Sequence, residues 1–252
     1  MDTLDLDKIS VVSTNLAEIR DYFLKILADR GDPALIITFN LEIYRNALIN
    51  NDCNIICRKA ELILPDGIGI IHLLELKYKK KINRITGTDL FELLLNISSD
   101  MSLRVAFVGS SEKVIHDLYA KVTSHFPYCK IAAAISPPLY FENNEAENSL
   151  VLEVLKKAKP DVLFLALNNS RGEIWLDKYR DQIGAKINIG VGAVFDFYTG
   201  NKKRSPVFFQ RLSLEWAWRL FQEPKRLYKR YLIQGIPFFF KKAVQIIIKN
   251  DI

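Results

Sequence analysis

The sequence predicts an α/β fold in which helices cover both faces of a mostly parallel, Rossmann-like sheet, followed by a basic helical C-terminal appendage. Short, continuously apolar runs alternate with segments of helical periodicity from residue 34 to residue 191. A run that is apolar at every position is what a strand buried on two faces requires. No internal repeat or low-complexity stretch interrupts the alternation. Charge then divides the chain: residues 201 to 252 hold 12 Lys and Arg against 3 Asp and Glu, leaving 23 basic and 26 acidic side chains among the first 200. The formal charge of +6 therefore hides a nearly neutral body and a strongly basic tail, and a boundary is expected after Gly200.

The elements follow in order. Residues 1 to 7 are acidic, lack the basic and apolar regions of a signal peptide, and read as a mobile start. Ala34-Leu35-Ile36-Ile37 forms a buried strand that runs into Thr38-Phe39-Asn40. Cys53 and Cys57 suit one buried helix face, and with Cys129 they form no CxxC pair, which points to a reduced compartment. Residues 61 to 64 are a second strand. The helix containing Leu90, Phe91, Leu93 and Leu94 has Thr88 or Asp89 as its expected cap. Strands at 103–108, 131–135, 161–167 and 187–191 alternate with helices at 112–126, 144–158 and 173–183.

The tail divides in two. Over residues 207 to 222, Arg211, Glu215, Arg219 and Gln222 line one helical stripe while Phe208, Leu212, Trp216 and Leu220 line another. Glu223-Pro224 breaks that helix, and a second groups Lys225, Arg226, Lys229 and Arg230 before Gly235 and Pro237 end it. Ten aromatic residues are interleaved with the basic ones, a mixture suited to an anionic membrane surface. Lys241-Lys242 interrupts the last apolar run, so no stretch is expected to reach the ~20 residues that cross a bilayer.

The chemistry concentrates at strand ends. In Leu64-Pro65-Asp66-Gly67-Ile68-Gly69 a carboxylate stands between a buried strand and a turn with two glycines, where backbone can approach a ligand. An Asp-Gly turn is the alternative. Thr38 and Asn40 bring a hydroxyl and an amide to another strand end, and Arg84 has no local structural role to explain it. Gly109-Ser110-Ser111 opens a helix, either as a phosphate contact or as a plain cap. Gly190-Val191-Gly192, followed by Asp196, gives a second close approach of backbone to a nucleotide. The absence of GxGxxG and GxxxxGK[ST] argues against dinucleotide dehydrogenases and P-loop enzymes. The three histidines show no zinc-ligand spacing, and Asp5-Leu6-Asp7 is the only Asp-x-Asp.

These blocks, with Arg84-Ile85-Thr86-Gly87-Thr88-Asp89-Leu90, Phe195-Asp196-Phe197 and Glu223-Pro224-Lys225-Arg226-Leu227, resemble the WecG/TagA/CpsF glycosyltransferase family in order and spacing from about residue 35 to 235. The resemblance implies a cytoplasmic transferase, peripheral on the inner face of the membrane. Residues 1–200 would be its catalytic domain. Its partners would be a UDP-sugar donor, with N-acetylmannosamine or a related hexose, and a polyprenyl-diphosphate saccharide acceptor. It also implies inversion, no metal and no cofactor, while a homo-oligomer stays open. By position, Asp66 matches the proposed general base, and Thr38, Asn40 and Arg84 match the sugar pocket. Tyr140, Gly192 and Asp196 match the nucleoside side, and Arg219, Arg226 and Lys229 match cations over the diphosphate.

Two departures stand out. Where the family has Gly-Ala-Pro-Lys-Gln-Glu, this chain has Asn168-Asn169-Ser170-Arg171-Gly172-Glu173, so a glutamine near the donor sugar is Gly172, and Asn168 or Asn169 would have to replace its hydrogen bonds. Lys229 replaces a common arginine and gives up its planar fork. The alternatives are a transferase using a different UDP-hexose and a catalytically impaired, membrane-associated scaffold. A nucleic-acid-binding protein would explain the tail but not Asp66 in its glycine turn.

Overall fold

The computed structural model describes residues 1–29, 31–167, 170–203, 206, 209 and 215–250, except for the side chains of Arg226 and Asn250. Six parallel strands form the central sheet: β3 (Ala34–Phe39), β4 (Leu62–Pro65), β5 (Arg104–Gly109), β6 (Lys130–Ile135), β7 (Val162–Ala166) and β8 (Ile187–Gly190). Their spatial order is β4-β3-β8-β7-β5-β6. Successive side chains of a strand point to opposite faces. Thus Leu35 and Ile37 enter one apolar core with Leu163 and Leu165, while Ala34 and Ile36 enter the other with Val162 and Phe164.

The first core is closed by α2 (Leu41–Ile49), α3 (Asn51–Lys59), α4 (Ile68–Tyr78), α7 (Glu145–Ala158) and α8 (Arg171–Ile183). The second is closed by α1 (Leu16–Ala28), α5 (Gly87–Asp100), α6 (Glu112–His125) and α9 (Val194–Thr199). The α/β class, the parallel sheet and the covering of both faces agree with the expectation from sequence.

Several local expectations are corrected. Residues 1 to 7 are not a mobile start. The chain opens with an antiparallel hairpin, β1 (Asp2–Leu6) and β2 (Ile9–Ser13), whose Leu4, Leu6, Ile9 and Val11 are buried in the first core. The cap of α5 is Thr86. Its hydroxyl accepts from the Asp89 N–H at 3.2 Å, and the Asp89 carboxylate accepts the Thr86 N–H at 2.8 Å, so Asp89 completes a capping box and Thr88 is not the cap. Gly69 also serves packing, since a Cβ there would meet Leu41 Cδ2 at 3.2 Å.

The tail also differs. Residues 207 and 208 and 210 to 214, including Phe208, Arg211 and Leu212, lie outside the described residues. From there α10 (Glu215–Gln222), α11 (Pro224–Tyr228), a π-helical turn (Lys229–Gly235) and α12 (Ile236–Asn250) follow. Gly235 and Pro237 do not end the helix. Pro237 stands where the π-helical turn hands over to α12, and the helical segment continues through it. The continuous segment Lys229–Lys249 has 21 residues and contains an 18-residue stretch of mean hydropathy 1.3, long and apolar enough to cross a membrane by length and composition, contrary to the expectation from the lysine pair. Here it packs along α4. Phe238 stacks edge-on against Tyr44 at 5.3 Å, Ile246 is buried, and Lys242 pairs with Asp7.

Candidate active site

The carboxyl ends of β3, β4, β7 and β8 and the N-terminus of α5 converge on one polar cavity of about 140 Å³. Backbone hydrogen bonds fix its rim. The Asp66 N–H donates to the Phe39 carbonyl at 2.8 Å, and the Ile85 N–H donates to the Pro65 carbonyl at 3.0 Å. The loops after β3 and β4 and the segment entering α5 are thereby held together. Gly67 caps α4 with φ +79°, a conformation that costs a residue with a Cβ and lets the chain turn directly after Asp66.

Thr38, Asn40, Asp66, Gly192 and Arg219 line this cavity, so the structure brings these five predicted residues together. Thr38 is buried at the end of β3. Asn40 also caps α2, because its Oδ1 accepts the N–H groups of Glu42 and Ile43 at 3.0 and 3.1 Å. What Asn40 offers a ligand is therefore its amide nitrogen rather than its oxygen.

A second cavity of about 550 Å³ opens between α4 and the tail. Asn40, Glu42, Asp66, Glu215, Arg219, Arg230 and Tyr231 line both cavities, which makes Asp66 part of their common wall. Arg84 lines the larger one and pairs with Glu215 at 3.1 Å, with both side chains 23% exposed. Arg230 pairs with Glu42, and the Arg219 guanidinium lies over the Phe197 ring at 4.9 Å. Desolvation raises the pKa of Asp66, and Glu215 adds to the rise. Arg84, Arg219 and a hydrogen bond from the Gly67 N–H lower it by less. The result is a carboxylate more basic than an exposed one.

Glu173 is a cavity residue that sequence reasoning does not single out. It lies in the first turn of α8, only 7% exposed, and burial pushes its pKa up to about 7, with Glu42 adding to the rise and its own backbone N–H opposing it. A Cβ on Gly190 would stand 2.8 Å from Glu173 Oε1, so the carboxyl occupies the space that this glycine leaves on β8. The signal in the sequence is Gly190, but nothing local links it to a residue in α8.

The remaining predicted residues lie elsewhere. Asp196 accepts a hydrogen bond from Ser110 at 3.4 Å, and Ser136 donates to the Ser110 carbonyl at 2.9 Å, forming a polar cluster beyond the ends of β5 and β6. Ser111 caps α6, in line with the plain-cap alternative for that glycine-serine segment. Tyr140 is exposed at φ +64°, with the Arg171 guanidinium 5.1 Å from its ring centroid and Arg171 paired to Glu142 at 2.7 Å. Neither Tyr140 nor Asp196 is in either cavity lining. Lys229 is exposed and outside both linings, whereas the next residue, Arg230, lines both. The Arg226 side chain, Asn168 and Asn169 lie outside the described residues.

The family model described as "Glycosyl transferase WecG/TagA/CpsF family" matches residues 4–251. The N-acetylglucosaminyldiphosphoundecaprenol N-acetyl-beta-D-mannosaminyltransferase of Bacillus subtilis (strain 168) is 33% identical over 232 residues, covering 92% of this chain and 88% of the relative. The protein of the same name from Bacillus spizizenii is 32% identical over 251 residues, covering 100% of this chain and 93% of the relative. One from Staphylococcus aureus (strain MW2) is 25% identical over 210 residues, covering 83% and 79%.

Proposed function

The chain belongs to the WecG/TagA/CpsF family of glycosyltransferases, and on that premise we propose that it moves N-acetylmannosamine, or a closely related hexose, from UDP to an N-acetylglucosaminyl-diphosphate polyprenol. The observation that carries this reading is Asp66, a carboxylate of raised basicity in the wall between a small polar cavity and a larger one bordered by arginines.

In the proposed reaction Asp66 accepts the proton of the acceptor hydroxyl as its oxygen attacks the anomeric carbon. The bond from that carbon to the UDP oxygen breaks, and its electron pair leaves with the phosphate. One displacement inverts the anomeric centre. Arg219, which lines both cavities, and Arg230 neutralise the charge that develops on UDP, so the step needs no metal. Thr38, the Asn40 amide and Arg84 hold the reacting saccharides. Gly192 borders the nucleoside, which reaches out of the small cavity toward Asp196 and Tyr140. Arg226 and Lys229 extend the cationic tail, which rests on the anionic inner face of the membrane. Gly172, where the family has glutamine, favours a second reading in which the donor is a different UDP-hexose.

The test is Asp66→Asn, which keeps shape and removes the proton acceptor. Turnover should fall by about two to four orders of magnitude, with the melting temperature little changed. Near wild-type turnover would exclude Asp66 as the base. Activity on a water-soluble acceptor should survive EDTA, and a loss restored by Mg²⁺ or Mn²⁺ would overturn the metal-free step. UDP release measured with and without acceptor distinguishes a transferase from a scaffold, and a panel of UDP-sugars read by mass spectrometry identifies the donor.

A further inference from the structure

The larger cavity has two chemical characters. Where it meets the polar cavity its wall carries Asp66, Glu215, Arg219 and Arg230. Away from that junction it turns apolar, with Ile68 from the domain facing a wall of Trp216, Ile236, Phe239 and Phe240 from the tail. A saccharide and a diphosphate give no reason for such a wall. We propose that this cavity seats the first isoprenoid units of the acceptor, with the acceptor's diphosphate on the side of Arg84 and with Arg219 and Arg230, at the junction of the two cavities, left to the UDP. The proposal rests on the transfer reaction above and adds a site that reads the lipid rather than the sugar.

Size and exit agree with that occupant. A volume of about 550 Å³ lies within the range of about 300–1,000 Å³ typical of small-molecule sites, enough for the near end of a long polyprenyl chain and too small for all of it. The remainder must leave, and α12 provides an apolar path. Phe240, on the cavity wall, is followed by Val244, Ile247 and Ile248, all exposed, at the i, i+4, i+7 and i+8 positions of one helical stripe. The stripe runs on from the cavity as an apolar track along which the chain can pass into a bilayer. In this arrangement the lipid is recognised before it reaches the membrane's bulk, by surface contributed by both the domain and the tail.

Calorimetric titration of the full chain, without membranes and below the micellar concentration of the ligand, compares farnesyl diphosphate with inorganic diphosphate. Farnesyl diphosphate should bind at least about tenfold more tightly, because its isoprene units leave water for the apolar wall. Phe240→Ala should remove most of that difference. Ile248→Ala, on the same stripe but outside the cavity, should leave it unchanged. Equal affinity for the two ligands would overturn the proposal, as would an equal effect of the two substitutions, which would assign binding to the exposed stripe. Transfer to N-acetylglucosaminyl-diphosphate farnesol is measured separately. Tight farnesyl diphosphate binding without transfer from any UDP-sugar would sink the reaction and keep the cavity assignment, and transfer without a farnesyl preference would do the reverse.

Discussion

Glu173 shows what one buried side chain can do to this site. Its carboxyl fills the space over Gly190, and its pKa of about 7 lies above the ordinary 4.5 because charge there is poorly solvated. The folded state therefore binds a proton that the unfolded chain releases, and folding is favoured below the ordinary value. That contribution is lost as pH rises from about 4.5 to about 7, and above that range the charged form costs stability of order 3 kcal/mol. Glu173→Gln keeps the shape and removes the charge. The variant should melt close to wild type near pH 5 and above it at pH 8, and a difference that does not grow with pH would show that Glu173 is not buried as an acid. Asp66 is legible because it stands at a strand end before Gly67 in the company of Thr38, Asn40 and Arg84. Glu173 is not, because its importance comes from a missing Cβ on another element.

Elements are legible where one period rules them. The six sheet strands are apolar apart from Thr38, Asn188 and the opening Arg104 and Lys130, because the sheet is covered twice, and their positions in the sequence agree with the structure to within a residue or two. The hairpin escapes notice although Leu4, Leu6, Ile9 and Val11 alternate as a half-buried pair of strands must. Its turn uses Asp7 and Lys8 at positive φ instead of glycine or asparagine, which removes the usual marker. Pro237 misleads because it falls where the π-helical turn hands over to α12, and nothing in the sequence marks that junction. Of the two adjacent cations that open that turn, Arg230 lines the cleft and Lys229 does not. The hairpin in turn anchors the tail. Burial alone would raise the pKa of Asp7, but Lys242 and the Tyr44 hydroxyl at 2.6 Å more than offset this, so the contact persists at neutral pH and is lost only as pH falls below the ordinary carboxylate range. Asp7→Asn should loosen α12 by up to about 1 kcal/mol, the scale of a partly exposed ion pair. Amide exchange across Ile236–Asn250 would then quicken by up to about fivefold with the sheet unaffected, and unchanged exchange would leave Phe238 and Ile246 as the whole anchor.

For the whole molecule the charge division separates two roles that the tail has in the proposed reaction, holding the membrane and completing the cleft. Membrane attraction is a sum over many cations. Each basic side chain near an anionic surface contributes about 1 kcal/mol, so removing one of the 12 in residues 201 to 252 weakens binding about fivefold and leaves most of it. Cleft chemistry is not a sum. Arg219 lies over Phe197 and borders both cavities, a fixed position against the departing phosphate that charge elsewhere on the tail cannot fill. Arg219→Ala should therefore bind anionic vesicles within about fivefold of wild type, still weakened by salt, yet turn over a water-soluble acceptor about 10²- to 10³-fold more slowly, the scale seen when one donor to a developing oxyanion is removed. Truncation after Gly200 should abolish both. The deciding measurement is vesicle sedimentation paired with turnover on the soluble acceptor. Full turnover by Arg219→Ala would reduce the tail to an anchor, while loss of vesicle binding in that single variant would mean that the arginine faces lipid rather than substrate.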